Sequence, residues 1–215
     1  MHLGHLRAAE EVRETAGLDE IRFVPAALPV HKESDGIAPA ADRLRMVQLA
    51  IADCPAFRAW DVELQRLGPS YSVDTIRALR DEVGPDTRIA FIMGRDAFDE
   101  FHTWKDPETI LGLCDLVVIT RPPWSDTLSP ADLRVAIPEP FDYDPASGTI
   151  RHASGRAVTL QRITALDISA TAIRHRVSAG RSIRFLVPTA VASYIDARGL
   201  YRGSRVGTGG RSAAH

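Results

Sequence analysis

Cysteine is scarce in this chain: two residues in 215, Cys54 and Cys114, sixty positions apart. There is no CxxC pair, which excludes a zinc ribbon and a thioredoxin-like redox motif. A reducing compartment is the simple expectation. No apolar run approaches the roughly 18 residues that a membrane-spanning helix requires. The opening MHLGHLRAAE lacks the apolar centre of a secretory signal. Charge of one sign is not in excess either. Lys plus Arg number 26 and Asp plus Glu 28, for a formal net charge of −2. That balance argues against a dedicated nucleic-acid binder, but it allows a local basic pocket for a small anion. The phosphate loop G-x-x-x-x-G-K-Ser/Thr does not occur, which excludes a P-loop ATPase. No internal repeat is visible.

What is present reads as an ordinary globular chain, with 45% hydrophobic and 25% charged residues. The length favours one domain, large enough to bury roughly 70% of its unfolded surface without a covalent staple. Leu3, Leu6, Ala9 and Val12 form a helical stripe over Leu3 to Thr15, ended by Gly17. Ile21 to Pro25 is a short strand, and 29–39 a polar loop carrying His31 and Lys32. A helix is expected over Ala41 to Ala52. Trp60, Val62 and Leu64 alternate with acidic residues, which predicts a strand there. Ser72 stands where the N-cap of the next helix belongs. The apolar runs Arg88–Met93 and Asp115–Thr120 predict buried parallel strands. Pro107 to Gly112 is a short helix between them.

Residues 121–156 are rich in Pro, Gly, Asp and Ser and are expected to be an irregular insertion with room for a hairpin. Val158 to Ile163 is a last strand. Helices follow over Ser169–Val177 and Pro188–Arg198, the second closed by Gly199. The Gly, Ser and Arg of 203–215 predict a disordered tail. Residues 1–202 are thus expected to form a single α/β domain, a Rossmann-like open parallel sheet with a small C-terminal helical part over 169–202. Ligands of such sheets sit beyond the carboxyl ends of the strands. Function is therefore expected after Val24, around Gly94 and Asp96, and near Ser169.

Two constellations carry chemistry. His2-Leu3-Gly4-His5 lies at a helix mouth, where imidazoles, unpaired amides and the helix dipole all favour phosphate. Gly4 lets a ligand approach the backbone. An incidental histidine pair or a metal pair fits these residues as well. The second is Ile168-Ser169-Ala170-Thr171-Ala172-Ile173-Arg174, with a capping hydroxyl, a second hydroxyl and an Arg suited to bidentate phosphate binding. By itself it reads equally as a plain capped amphipathic helix.

Taken together, and in order along the chain, these motifs are more specific. HLGH at His2–His5, HK at His31-Lys32, ELQRLGPSYSVDT at Glu63–Thr75 and FIMGRDAF at Phe91–Phe98 come first. HTW at His102–Trp104, ITRPP at Ile119–Pro123, ISATAIR at Ile168–Arg174 and the closing SYIDARGLY follow. From His2 to Tyr201 the chain resembles the bacterial nicotinate-nucleotide adenylyltransferases of the HxGH nucleotidyltransferase superfamily. The resemblance implies a nucleotidyltransferase fold and transfer of AMP from ATP to nicotinate mononucleotide, giving deamido-NAD and pyrophosphate. It implies His2, His5, Lys32 and Arg174 as catalytic residues. His2, His5, Gly94, Asp96, Ser169, Thr171 and Arg174 would bind ATP, with Asp96 on the ribose hydroxyls. Tyr71, Ser72 and Trp104 would bind the nicotinate nucleotide, Trp104 by stacking on the ring.

Mg²⁺ is implied as the counter-ion of ATP, with no metal-ligand set of the protein's own. The implied partners are these two small molecules, with no nucleic acid and no membrane. The setting is cytoplasmic, and a homo-oligomer is compatible with all of this. The rival readings are preference for nicotinamide mononucleotide and an inactive nucleotide-binding homologue. The chain also departs from the family, whose members open with a strand ending in GGxFDP ahead of the HxGH motif. That strand is central in the order 3-2-1-4-5, so a gap is expected between the strands at Ile21–Val24 and Arg88–Met93. A start upstream of Met1 is the favoured explanation.

Overall fold

A computed structural model describes residues 1–27, 36–120, 136–137, 141–144 and 149–202. His31, Lys32, Arg121 and the 203–215 tail lie outside these residues. The described chain begins with α1 (Leu3–Ala16), β1 (Ile21–Phe23), α2 (Ala40–Ala50), β2 (Phe57–Ala59) and α3 (Ser72–Val83). β3 (Ala90–Gly94), α4 (Arg95–Asp99), a 3-10 turn (Phe101–Thr103), α5 (Pro107–Leu113) and β4 (Asp115–Thr120) follow. β5 (Phe141–Asp144), β6 (Thr149–His152), β7 (Ala157–Arg162), α6 (Ala170–Ser178) and α7 (Thr189–Ala197) complete it.

The strands form two sheets. β1 pairs in parallel with β2, Ile21 opposite Phe57. The larger sheet has the order β3-β4-β7-β6-β5. Its first three strands are parallel, Ala90 opposite Asp115 and Leu116 opposite Val158. β6 and β5 are added antiparallel. The α/β architecture with a parallel-dominated sheet is thus as expected, and the sheet is interrupted where the sequence predicts a gap: no ladder joins β1 to β3 among the described residues. The two sheets meet through side chains, because Ile92 of β3 packs against the cluster built on Ala9, Ile21, Val47 and Phe57.

Two expectations are corrected. The strand predicted over Trp60–Leu64 lies upstream at Phe57–Ala59, and 62–65 is a turn closed by Leu64 N–H to Asp61 C=O at 2.8 Å. The alternation there does not follow burial: the acidic Glu63 is the buried member, turned inward to accept from Thr75. Ser72 is the first helical residue of α3, not its cap; Tyr71 holds the N-cap position and no side chain caps it. The 121–156 stretch is not wholly irregular: it holds the hairpin allowed for, β5 and β6, paired in register and extending the sheet. A hairpin of four residues a side gains its stability only by joining a larger sheet, and that partner, β7, is distant in sequence.

The largest core cluster lies between α3, α4, α5 and the β3-β4-β7 strands, with Phe98, Phe101, Ile110, Leu116 and Val118 fully buried. β4 is covered on both faces, as its continuous apolar run requires. β3 ends its sheet and is only half-buried outside Met93. Burial pushes the Cys114 thiol up to about 12, so this cysteine is a packing residue and not a nucleophile. A second cluster joins α2 to α6 and α7 through Met46, Ile173, Val191 and Ile195. There the buried Asp42 accepts from Tyr194 Oη at 2.6 Å and Arg198 Nε at 3.1 Å. These bonds, the tyrosine's first, hold its carboxyl below the usual range. Their contribution is complete above the ordinary carboxylate range and is lost as the pH falls through the depressed one.

Leu116→Ala is expected to lower the unfolding free energy by about 2–5 kcal/mol in urea denaturation. A loss under about 1 kcal/mol would mean that the strand does not lie in a close-packed core.

Candidate active site

The N-termini of α1 and α6 come from opposite ends of the sequence and meet in space. Leu3 N–H donates to Leu186 C=O at 3.0 Å, which ties the first turn of α1 to the segment before α7. A Cβ on Gly4 would lie 3.8 Å from the Leu166 carbonyl, just ahead of α6. His2, Arg174 and Tyr201 line one cavity of about 40 Å³ together with Met46 and Ala170.

His2 is 6% exposed and serves as the N-cap of α1. Its Nδ1 accepts from His5 N–H at 3.3 Å. An acceptor at Nδ1 leaves the proton of a neutral imidazole on Nε2, so His2 offers a donor at the far edge of its ring. His5, exposed, stacks on it with ring centroids 3.6 Å apart and planes 18° from parallel. On α6, Ser169 caps the helix and accepts from Ala172 N–H at 3.1 Å. Thr171 Oγ1 accepts from the Arg174 guanidinium at 3.0 Å. Ser169 and Thr171 therefore set the helix start and aim Arg174.

Gly94 and Asp96 lie where β3 passes into α4, at the carboxyl end of the strand. Asp96 Oδ1 folds over Gly94 so closely that a Cβ there would collide with it. Tyr71 and Ser72 open α3, and Trp104 follows the 3-10 turn with its ring edge-on to Phe91 of β3 at 5.9 Å. The structure thus assembles the sequence-predicted residues as three groups: α1 with α6, the end of β3, and the start of α3 with Trp104. Lys32 lies outside the described residues.

Other residues at these groups lie in or beside the family-like stretches but carry no role in the sequence reading. Tyr201 holds a left-handed φ of 61° beside Arg174, and burial pushes its phenol up. Arg43 donates to Ala38 C=O at 3.1 Å and to Ala27 C=O at 3.2 Å. Ser70 Oγ accepts from Ala27 N–H at 3.0 Å, so the chain after β1 is tied both to α2 and to the lead-in of α3. Nothing in residue spacing points to these contacts; only the tertiary fold makes them. A larger surface hollow of about 530 Å³ lies between α6 and α7, lined by Val177, Ser182, Ile183 and Asp196, and holds none of the predicted site residues.

Two helix starts that meet beside a parallel-dominated α/β sheet suit a phosphate-bearing ligand. A family model described as cytidylyltransferase-like matches residues 1–176. The chain belongs to the nicotinate-nucleotide adenylyltransferase family. It is 45% identical over 205 residues to a probable nicotinate-nucleotide adenylyltransferase of Geobacter sp. (strain M21), covering 95% of this chain and 94% of that one. It is 48% identical over 204 residues to a protein of the same description from Syntrophotalea carbinolica, covering 94% and 92%. In fold it is similar to a Plasmodium falciparum nicotinic acid mononucleotide adenylyltransferase complexed with NaAD, with a TM-score of 0.69 at 15% identity over 94% of this chain and 91% of that one.

Gly4→Ala tests the geometry of the His2 cap. Its Cβ would lie 3.1 Å from His2 Nδ1, so the imidazole must give way. Alanine favours the helix by about 1 kcal/mol, which offsets the cost of about 1 kcal/mol for a disturbed cap, so melting temperature should change little. Turnover should fall about tenfold or more, because misplaced phosphate ligands are costly. Full activity in the variant would show that the position of the His2 ring is not used.

Proposed function

We propose that the protein transfers the adenylyl group of ATP to nicotinate mononucleotide, a step of NAD biosynthesis. A phosphate oxygen of nicotinate mononucleotide attacks the α-phosphorus of ATP and forms the new P–O bond. The bond to the bridging oxygen breaks, and pyrophosphate leaves with its electrons. The products are deamido-NAD and pyrophosphate. The attacking phosphate is already an anion, so no protein nucleophile or strong base is required. The protein's work is to hold two anions in line and to offset charge at the α-phosphate and the leaving group.

The observation that carries this reading is the shared cavity of His2 and Arg174 at two converging helix starts. His5 is assigned the α-phosphate. His2, Ser169, Thr171 and Arg174 are assigned the rest of the triphosphate, and Lys32 joins them on sequence resemblance alone. Gly94 and Asp96 receive the ribose hydroxyls. Tyr71 and Ser72 present the first amides of α3 to the nicotinate carboxylate, and Trp104 stacks on the pyridine ring. Imidazole, guanidinium and hydroxyl groups suit phosphate oxygens, whereas Mg²⁺ prefers carboxylates and water. Among the described residues no group of three or more His, Cys, Asp or Glu is arranged to hold a metal ion. Mg²⁺ is assigned to ATP on sequence resemblance; bound there, it would offset part of the negative charge of the triphosphate. The reading also carries a single catalytic domain over 1–202 and a cytoplasmic setting, where ATP and pyridine nucleotides are found.

Pyrophosphate release should be faster with nicotinate mononucleotide than with nicotinamide mononucleotide. His5→Ala should lower turnover on the order of a hundredfold, the loss typical of one preorganised donor, with nicotinate-nucleotide binding retained. An unchanged rate would remove His5 from the chemistry. Trp104→Ala should raise KM for the nucleotide about tenfold, as expected for one stacked ring, with little change for ATP. Equal effects on both would make Trp104 a packing residue.

A further inference from the structure

Lys105 directly follows Trp104 in the chain. The next residue, Asp106, has a left-handed φ of 49° as the N-cap of α5, so the backbone turns sharply at this point. After glycine, asparagine and aspartate tolerate that conformation best. The Lys105 side chain reaches α3 instead of following α5. Its Nζ lies 4.5 Å from the centre of the Tyr71 ring and 3.2 Å from Asp74 Oδ2. The lysine side chain is 43% exposed and Asp74 28%.

Asp74 is the acidic residue of the first turn of α3. A carboxylate there complements the helix dipole when no ligand is bound. It is also the wrong charge beside an incoming carboxylate, and the first amides of α3 are where the nicotinate carboxylate is placed. A bound nicotinate would meet a like charge within one helical turn, whereas nicotinamide would not. Uncompensated, Asp74 would therefore favour the amide.

The compensation comes from two cations. Arg77 approaches Asp74 Oδ1 at 3.5 Å, a long contact, and is shared with Asp106 at 3.8 Å. Arg66 donates to the Asp74 main-chain carbonyl at 3.2 Å and to Thr75 Oγ1 at 3.3 Å, not to the Asp74 carboxylate. Glu63 is occupied by Thr75, whose hydroxyl donates to it at 2.6 Å. Lys105 thus makes the shorter contact to the carboxylate, and it alone of the two also lies over Tyr71. As an exposed ion pair, Lys105–Asp74 adds little to stability. Its position gives it another use.

We propose that Lys105 is a specificity-determining residue: by neutralising Asp74 at the start of α3, beside Tyr71 and Trp104, it lets the site accept a nicotinate carboxylate in preference to a nicotinamide. The effect acts through Asp74, so Lys105 is a positioning residue for charge and not a catalytic one. The inference rests on the placement of the nicotinate ring between Trp104 and the start of α3 proposed above. It adds a source of acid-over-amide preference beyond the amide donors themselves.

The test is the ratio of kcat/KM for nicotinate mononucleotide to kcat/KM for nicotinamide mononucleotide, measured by pyrophosphate release at low salt. Lys105→Met should lower that ratio about three- to tenfold, the size expected for one charge several ångströms away in a partly aqueous setting. The loss should fall on the nicotinate nucleotide. Asp74→Asn combined with Lys105→Met should return the ratio to within about twofold of the parent, since no charge is then left to compensate. Equal losses on both nucleotides, or an unchanged ratio, overturn the inference. A lowered ratio that Asp74→Asn fails to restore overturns the compensation through Asp74. Trp104→Ala, assayed alongside, separates the two levels. If it leaves KM unchanged for both nucleotides, the ring does not sit there and the site reading itself fails. If it raises KM while Lys105→Met leaves the ratio intact, only the role of Lys105 fails.

Discussion

The contact on which the site depends is the seam between the first turn of α1 and the segments that flank α6. Leu3 bonds to the Leu186 carbonyl, and Gly4 lies beside Leu166, where an added Cβ would make ordinary contact with the Leu166 carbonyl. This seam brings residues about 170 positions apart to one cavity. A helix N-terminus carries unsatisfied amides and a partial positive charge. Two such ends aimed at one place, with Arg174 between them, make a site for a polyanion that neither end makes alone. The two hydrophobic clusters flanking α2 hold the seam. One packs α1 against β1, β2 and α2, and the other packs α2 against α6 and α7.

The chemistry follows from what the seam brings together. Among the described residues it gathers imidazoles, hydroxyls and a guanidinium. Such a set does not make a nucleophile, but it holds anions already able to react. The distances within each cluster serve aim. His2 keeps its Nδ1 on a backbone amide and so presents its other edge, while Thr171 holds one arm of Arg174. At the other substrate the same economy applies at longer range, where charge near the start of α3 decides which pyridine nucleotide is welcome.

Much of this was legible in the sequence, for identifiable reasons. β4 has a continuous apolar run and is buried on both faces, so its bounds are those read from the pattern. Gly17 and Ser169 act at the helix ends where their residue types belong. The convergence of His2–His5 with Ser169–Arg174 was legible only through resemblance, since no local pattern states that distant segments meet. What escaped was set by tertiary partners. The alternation at Trp60–Leu64 imitated a strand although its buried member is Glu63, which accepts from Thr75. The bounds of β5 and β6 were hidden because their stability comes from β7. Arg43 and Tyr201 lie in stretches that resemble the family and Lys105 lies just past one, but no sequence pattern gives their contacts, which the tertiary fold makes.

The account stands or falls on two helix starts sharing one triphosphate. A crystal structure of the protein soaked with a non-hydrolysable ATP analogue tests this directly. The account predicts phosphate oxygens of one analogue molecule within hydrogen-bond distance of an imidazole of the His2–His5 pair and of the Arg174 guanidinium. An analogue whose phosphates touch only one of these, or that binds away from the seam, would contradict it.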